Sequence, residues 1–178
     1  MITKKLQFIW INSPIPQWVQ NNIDTFRQPG WEIVIHTDDS LLNPLYVKSY
    51  KNCGLIPLKS DLLRYSILQA SPGWYCDADA RCFGDLNALY DLITDEPGKI
   101  WTSSNGMQMV NWFLGCDETF DWSGVNDWIT TWSVPAHPAW FGAYLWFMNG
   151  TNVKQFPWNK ISIGKTDVSI VAHGYKGE

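Results

Sequence analysis

Residues 73–83 read GWYCDADARCF, and this stretch decides how the chain is interpreted. A short apolar run ends at Cys76, and Asp77 and Asp79 follow with only Ala78 between them. Such a run is typical of a buried strand that stops where the polar residues begin. In open α/β sheets the ligand crevice lies at the carboxyl ends of the strands. The sequence therefore predicts that both carboxylates line a crevice of this kind.

A helix is predicted immediately before this strand, over LKSDLLRYSILQ at 58–69. Its apolar residues Leu63 and Ile67 lie four apart, and Ser60 is a plausible N-cap. The other predicted elements upstream are a strand over 5–11, a helix over 16–26, a strand over 31–37 and a short helix through Leu41 and Leu42. Strands that alternate with helices favour an α/β/α sandwich with a mostly parallel central sheet.

The later sequence continues the mixture of helices and strands. We predict helices over 84–93, 125–132 and 140–150, and strands over 99–104, 109–116 and 168–173. No internal repeat or flexible linker divides the 178 residues, so we expect a single domain over 1–178.

The composition excludes several classes of protein. Hydrophobic residues make up 46% and charged residues 17%, which is unlike a disordered chain. With a net charge of -4 and no run of Lys and Arg, binding to nucleic acid is not expected. The apolar runs are too short for a membrane span, and the beginning of the chain does not resemble a signal peptide. The four cysteines lack metal-site spacing, so we expect buried thiols in a soluble, cytoplasmic protein.

The carboxylate pair itself predicts a divalent metal site. Residues i and i+2 leaving a strand point to the same side, so Asp77 and Asp79 can face one ion. Oxygen donors of this kind suit Mg²⁺ or Mn²⁺ that carries a diphosphate. Two solvated aspartates in a turn are the plain alternative. A calcium loop is excluded because Arg81, Cys82 and Ala88 replace its fifth-position ligand, its glycine and its final glutamate. Ala80 and Arg81 replace the continuation expected of an aspartyl phosphatase.

The order of SDLLRYSIL and PGWYCDADARCFGDL resembles the core motif of DXD-containing glycosyltransferases. These are the mannosyltransferase-type family 32 enzymes and, more distantly, the large glucosylating toxins. The residues that match in order and spacing are Ser60, Asp61, Arg64, Tyr65, Gly73, Trp74, Tyr75, Asp77 and Asp79. Pro72 replaces the first glycine of the family's pair. The resemblance is specific between Asp61 and Asp79 and loose elsewhere.

Three outlying segments extend the resemblance and imply further site residues. FIWIN resembles the family's opening strand, which implies that Trp10 stacks on the nucleotide base and that Ile11 contributes backbone contacts. VNWFLG resembles the segment that places Asn111 near the donor sugar. IVAHGYKGE resembles the carboxyl-terminal segment, which implies His173 as a metal ligand and Lys176 as a contact of the diphosphate.

The resemblance implies a metal-dependent glycosyltransferase of the hexosyltransferase type with a GT-A fold. Mn²⁺ or Mg²⁺ would be held by Asp77, Asp79 and His173, and the donor would be a UDP- or GDP-linked sugar contacted by Asp61 and Arg64. The acceptor would be a carbohydrate, a lipid-linked molecule or a protein, and the reaction would retain the anomeric configuration. No residue identifies a catalytic nucleophile. The alternative is a carbohydrate- or nucleotide-binding module that keeps the fold without turnover.

Overall fold

The structure is a computed structural model, and it describes residues 1–92, 96–104, 109–132, 153–156, 161–163 and 170–174. The strands within these ranges are β1 (Lys5–Ile9), β2 (Glu32–His36), β3 (Gly73–Cys76), β4 (Ala80–Cys82), β5 (Ile100–Ser104), β6 (Met109–Cys116), β7 (Val153–Gln155), β8 (Ile161–Ile163) and β9 (Val171–His173). The helices are α1 (Gln17–Asp24), α2 (Val47–Asn52), α3 (Ile56–Ala70), α4 (Leu86–Tyr90) and α5 (Ser123–Trp132).

The central sheet has six strands in the order β2-β1-β3-β6-β5-β7. Strands β2 and β3 both pair parallel with β1, and β7 pairs parallel with β5. Only β6 runs against its neighbours among these strands, since it pairs antiparallel with β3 and with β5. The predicted mostly parallel α/β sheet is confirmed. Its topology places the carboxyl ends of β1 and β3 side by side.

Helices cover both faces of this sheet because β1 and β3 are apolar on both sides. Leu6 and Phe8 of β1 belong to a buried cluster that includes Val19 and Ile23 of α1. Ile9, at the end of the same strand, belongs to the other cluster, which holds the apolar side of α3. The result is the three-layer sandwich that the alternation of strands and helices predicts.

Helix α3 is buried more completely than a helix that covers one face of a sheet. Every residue from Asp61 to Leu68 is buried, so no side of this segment faces water. A helix with an ordinary amphipathic pattern would leave its polar side exposed. The polar residues Asp61 and Arg64 are therefore drawn into the interior of the protein, beneath the end of β3.

The start of α3 differs from the prediction. The helix begins at Ile56 with Pro57 in its first turn, a position where proline's missing N–H costs no hydrogen bond. Ser60 therefore lies inside the helix, and the prediction that it is the N-cap was wrong.

The predicted short helix through Leu41 and Leu42 was also wrong. The chain instead forms a turn in which the amide of Leu42 donates to the carbonyl oxygen of Asp39 at 2.9 Å. Helical backbone begins only at Pro44, because the side chain of Asn43 accepts a hydrogen bond from the amide of Leu45 and caps that turn.

Other predictions hold or lie outside the described ranges. All four cysteines are buried and free, as expected. Within those ranges, no helix is both long enough and apolar enough to cross a membrane. Lys176 and the helix predicted over 140–150 fall outside the described residues. The extent of the domain and the cytoplasmic location stay predictions.

Candidate functional site

Asp77 and Asp79 lie in the turn that joins β3 to β4, at the carboxyl end of β3. The amide of Ala80 donates to the carbonyl oxygen of Asp77 at 3.1 Å, which closes the turn. Strand β4 then pairs antiparallel with β9, and the register places Ala80 opposite His173. The amide of Gly174 also donates to the carbonyl oxygen of Asp79 at 3.0 Å. These pairings bring a histidine from the far end of the chain to the two aspartates.

The imidazole of His173 lies against both carboxylates. Its Nε2 is 2.8 Å from Oδ1 of Asp79 and 3.5 Å from Oδ2 of Asp77. One donor atom from each of the three residues lies within 4.8 Å of the others. Burial favours neutral imidazole, but hydrogen bonds to the two carboxylates outweigh it and raise the pKa of His173 to about 9.

Two side chains hold one carboxylate oxygen of Asp77 in place. Its Oδ1 accepts from the hydroxyl of Tyr75 at 2.6 Å and lies 3.2 Å from the Nη2 atom of Arg64. The guanidinium of Arg64 also lies over the ring of Tyr75, 4.7 Å from its centroid. Burial opposes ionisation of Asp77, but Arg64 and His173 outweigh it and hold the pKa of this carboxyl below its usual value. Oδ2 therefore remains the oxygen that faces His173.

Arg64 uses most of its donors inside the protein. Nη2 contacts Oδ1 of Asp61 at 2.9 Å as well as Asp77, Nη1 donates to the carbonyl oxygen of Asn111 at 2.7 Å, and Nε reaches the carbonyl oxygen of Ser60 at 3.5 Å. A guanidinium has five N–H donors, so one on Nη1 has no partner among the described residues. Burial opposes its charge, yet the carboxylates of Asp77 and Asp61 raise the pKa of Arg64, which keeps it ionised.

Asp61 is a buried carboxylate with one occupied oxygen. Oδ1 accepts from Arg64 and from Nδ2 of Asn111 at 3.1 Å, whereas Oδ2 has no partner among the described residues. The residue is 2% exposed. Burial raises its pKa to about 7, although the charge of Arg64 opposes this shift. Asn111 also donates to the hydroxyl of Tyr65 at 2.7 Å, so its side chain is committed within the protein.

One side of a cleft of about 710 Å³, a size typical of small-molecule sites, is formed by Asp61, Arg64, Tyr75, Asp77 and Asp79. Trp10, which follows β1, and Trp18 of α1 line it with their rings edge to face and 5.7 Å apart. The remaining lining residues are Ile9, Ile11, Ser13, Ile56, Pro57, Leu58, Ser60, Asp61, Arg64, Tyr75, Asp77, Ala78 and Asp79. The cleft thus has an aromatic and apolar part next to a charged part.

The donor set of Asp77, Asp79 and His173 fits a divalent ion. Carboxylate oxygens and imidazole together suit Mn²⁺, and carboxylates alone suit Mg²⁺. The three side chains are partly exposed and converge from two different sheets, which leaves room for further ligands. A cation at this position would replace the proton that the imidazole carries between the two carboxylates.

The comparisons with known proteins concern the fold. No protein-family model and no curated protein matches the sequence. A solved structure described as PaToxG glycosyltransferase aligns with a TM-score of 0.58 and 16% identity over 84% of this chain and 70% of its own. A glycosyltransferase involved in the glycosylation of the major capsid of PBCV-1 aligns with a TM-score of 0.56 and 8% identity over 94% and 92%. The chain therefore shares the fold of these two proteins, which is consistent with the GT-A type expected from the sequence.

The structure brings together most of the residues that the sequence singled out. Six of them line the cleft: Trp10, Ile11, Asp61, Arg64, Asp77 and Asp79. His173 contacts Asp77 and Asp79. Asn111 does not line it but lies behind Asp61 and Arg64.

Sequence reasoning missed two aromatic contributions to the site. Trp18 lines the cleft beside Trp10, and Trp112 stacks on the ring of His173 with centroids 5.0 Å apart. Neither residue was singled out among twelve tryptophans, and the position of Trp112 is defined by its contact with His173, which is distant in the chain.

Proposed function

We propose that the protein is a metal-dependent glycosyltransferase that takes a sugar from a nucleoside diphosphate donor. The observation that carries this proposal is that Asp77 and Asp79, which His173 contacts, lie at the charged end of a cleft whose other end is aromatic. A nucleoside diphosphate has the same division, with an apolar base face at one end and two phosphates at the other. The likeness of the fold to glycosyltransferases supports the reaction class.

The chemistry of sugar transfer explains why such a site is useful. Cleavage of the bond between the sugar and the diphosphate leaves negative charge on the β-phosphate. A divalent ion bound to Asp77, Asp79 and His173 supplies Lewis acidity that stabilises this charge. Asp77 keeps a fixed position because Arg64 and Tyr75 hold its other oxygen.

The remaining residues have roles that follow from their contacts. Trp10 and Trp18 offer aromatic surface to the base, since a base can stack on any such surface. Oδ2 of Asp61 is suited to accept a hydrogen bond from a ribose or sugar hydroxyl, and the unused N–H of Arg64 is suited to donate to a phosphate or hydroxyl oxygen. Asn111 supports both of these residues from behind rather than contacting the ligand.

The proposal includes retention of configuration and leaves the nucleophile unassigned. The carboxylates that line the cleft among the described residues are Asp61, Asp77 and Asp79. Each is engaged with Arg64 or His173, which does not favour a covalent sugar–carboxylate intermediate. UDP- and GDP-linked sugars both remain candidate donors, and carbohydrates, lipid-linked molecules and proteins remain candidate acceptors.

The test is calorimetric titration of UDP and of GDP in the presence of Mn²⁺ and in the presence of EDTA. We expect one nucleotide to bind with Mn²⁺, and we expect EDTA and the substitution Asp79→Ala each to abolish or strongly weaken that binding. Asp127→Ala is the matched control, because Asp127 is an exposed aspartate on α5 and does not line the cleft. It should bind as the unmodified protein does.

Turnover distinguishes the transferase from a binding module. Incubation with the matching nucleotide sugar should release the nucleoside diphosphate, slowly with water and faster with an acceptor. Tight metal-dependent binding without any release would favour the module. Binding that ignores both EDTA and Asp79→Ala would refute the metal site.

A further inference from the structure

Trp112 of β6 contacts both Asp77 and His173 of the proposed metal-binding group. Its carbonyl oxygen accepts from the amide of Asp77 at 2.8 Å, which ties the end of β3 to β6. Its indole lies against the imidazole of His173, with ring centroids 5.0 Å apart and 29° between the planes. The residue is only 5% exposed, so the indole has a fixed place in the core. Trp112 thus links the central sheet to the imidazole from the smaller sheet.

The imidazole of His173 has few other restraints. Nε2 faces the carboxylates, and Nδ1 has no hydrogen-bond partner among the described residues. Histidines that bind metals are ordinarily oriented by a hydrogen bond from the second ring nitrogen to a carboxylate or carbonyl. The side chain is also 25% exposed, so solvent lies on one side of it. The indole lies instead against one face of the ring.

We propose that Trp112 is a positioning residue that orients His173 for metal binding by stacking on its ring. The inference rests on the metal site of the proposed function. The indole blocks rotation of the imidazole on its buried side and keeps Nε2 directed at Asp77 and Asp79. Preorganised ligands bind a metal more tightly than ligands that must first be ordered.

The indole N–H has no part in this role. Nε1 of Trp112 is buried and lacks a hydrogen-bond partner among the described residues. An aromatic ring without a donor can therefore replace it without breaking a hydrogen bond. Trp112→Phe keeps a smaller stacking surface, whereas Trp112→Leu removes the aromatic face and keeps an apolar side chain.

The experiment measures Mn²⁺ binding by calorimetry on metal-free protein with no nucleotide present. We expect Trp112→Leu to weaken Mn²⁺ binding by roughly 10- to 100-fold, the usual effect of losing a residue that orients a ligand. Trp112→Phe should fall between the unmodified protein and Trp112→Leu. The double variant Trp112→Leu/His173→Ala should bind Mn²⁺ as His173→Ala does, because Trp112 acts only through His173.

Trp101→Leu is the matched control. Trp101 is 6% exposed, belongs to the same buried cluster and packs on Phe156 at 5.0 Å. Its loss should lower stability and leave Mn²⁺ affinity unchanged. A second readout is the proton resonance of the His173 ring, which the indole shifts by its ring current. That shift should persist in Trp101→Leu and disappear in Trp112→Leu.

The outcomes separate this inference from the proposed function. If the unmodified protein does not bind Mn²⁺, the metal site itself is refuted. If it binds Mn²⁺ and Trp112→Leu binds Mn²⁺ equally well, only the role of Trp112 is refuted. The role of Trp112 is also refuted if the double variant binds Mn²⁺ more weakly than His173→Ala does. Should Trp112→Leu fail to fold, Trp112→Phe decides: a displaced His173 resonance with unchanged Mn²⁺ affinity would overturn the inference.

Discussion

Replacement of Arg64 by Met tests whether the charged group beneath the cleft is as buried as the structure places it. Arg64 is 4% exposed and contacts Asp61 at 2.9 Å, Asp77 at 3.2 Å and the carbonyl oxygen of Asn111 at 2.7 Å. Removing one partner of a buried ion pair costs about 3–5 kcal/mol, because the other charge is left unpaired. For a chain of this length each kcal/mol lowers the melting temperature by roughly 2–4 °C. We therefore expect a fall of roughly 6–20 °C in thermal unfolding.

The chain contains a matched exposed pair. Arg27 and Asp24 have the same i,i+3 spacing and the same 2.9 Å separation, but their side chains are 53% and 47% exposed. Such surface pairs contribute about 0.2–0.5 kcal/mol. Arg27→Met should therefore lower the melting temperature by no more than about 2 °C. Equal losses for Arg27→Met and Arg64→Met would refute the burial argument.

The dependence on pH gives a second check on the same reasoning. Burial raises the pKa of Asp61 to about 7 even with Arg64 present, so removal of Arg64 should raise the pKa of Asp61 further. It should also raise the pKa of Asp77, which Arg64 helps to hold below its usual value. A carboxyl whose folded-state pKa exceeds its unfolded value loses stability as the pH rises through that range. The deficit of Arg64→Met should therefore be smaller near about pH 5 than near about pH 8, and Asp61→Asn should restore part of it. A deficit that does not vary with pH would refute this explanation.

Two further predictions concern packing and protonation. A Cβ atom added at Gly115 would lie 2.2 Å from two ring carbons of the buried Trp74, so Gly115→Ala should destabilise the protein by about 1–3 kcal/mol in urea unfolding. Gly54→Ala, where a Cβ meets nothing within 4 Å, is its control and should have little effect. In EDTA, the protonated imidazole of His173 stabilises the fold, because its pKa is raised to about 9. This stabilisation is fully present below the unfolded-state pKa of 6.5 and should be lost as the pH rises through about 9. Unfolding midpoints measured across that range should fall in the unmodified protein and not in His173→Gln; parallel curves would contradict the raised pKa.

The local sequence predicts much of the first half of the fold. Apolar runs interrupted by turn residues locate β1, β2 and β3. Strand β3 is buried throughout, as expected of a strand covered on both faces, whereas the edge strand β2 is only partly buried. The same reasoning puts Asp77 and Asp79 at the end of β3, where the structure has them. The helix starts were less predictable. Ser60 has the chemistry of an N-cap, but Pro57 lies in the first turn and α3 begins earlier, at Ile56.

The roles of the polar residues on α3 could not be read from spacing. Asp61 and Arg64 lie three apart, which in an isolated helix indicates a surface ion pair. In the fold the segment of this helix that holds them is buried on all sides. Arg64 therefore contacts Asp77 and Asn111 as well as Asp61. Burial of that kind depends on what packs around the helix, and that information is spread over the whole chain.

The sequence by itself determined the alternation of strands and helices, the carboxylate pair at a strand end and the oxygen-donor chemistry that suits a divalent ion. These features depend on neighbouring residues, and neighbours along a chain share a strand or a helix face. The resemblance of the carboxyl-terminal segment already implied His173 as the third member of the group, and the tertiary structure places its ring against both carboxylates. The tertiary structure alone decided that Trp18 joins Trp10 at the cleft and that Trp112 lies against the imidazole. The contacts of His173 and Trp112 are made by strands that pair across long stretches of the chain, and the register of such pairs is set only when both faces of the sheets are packed.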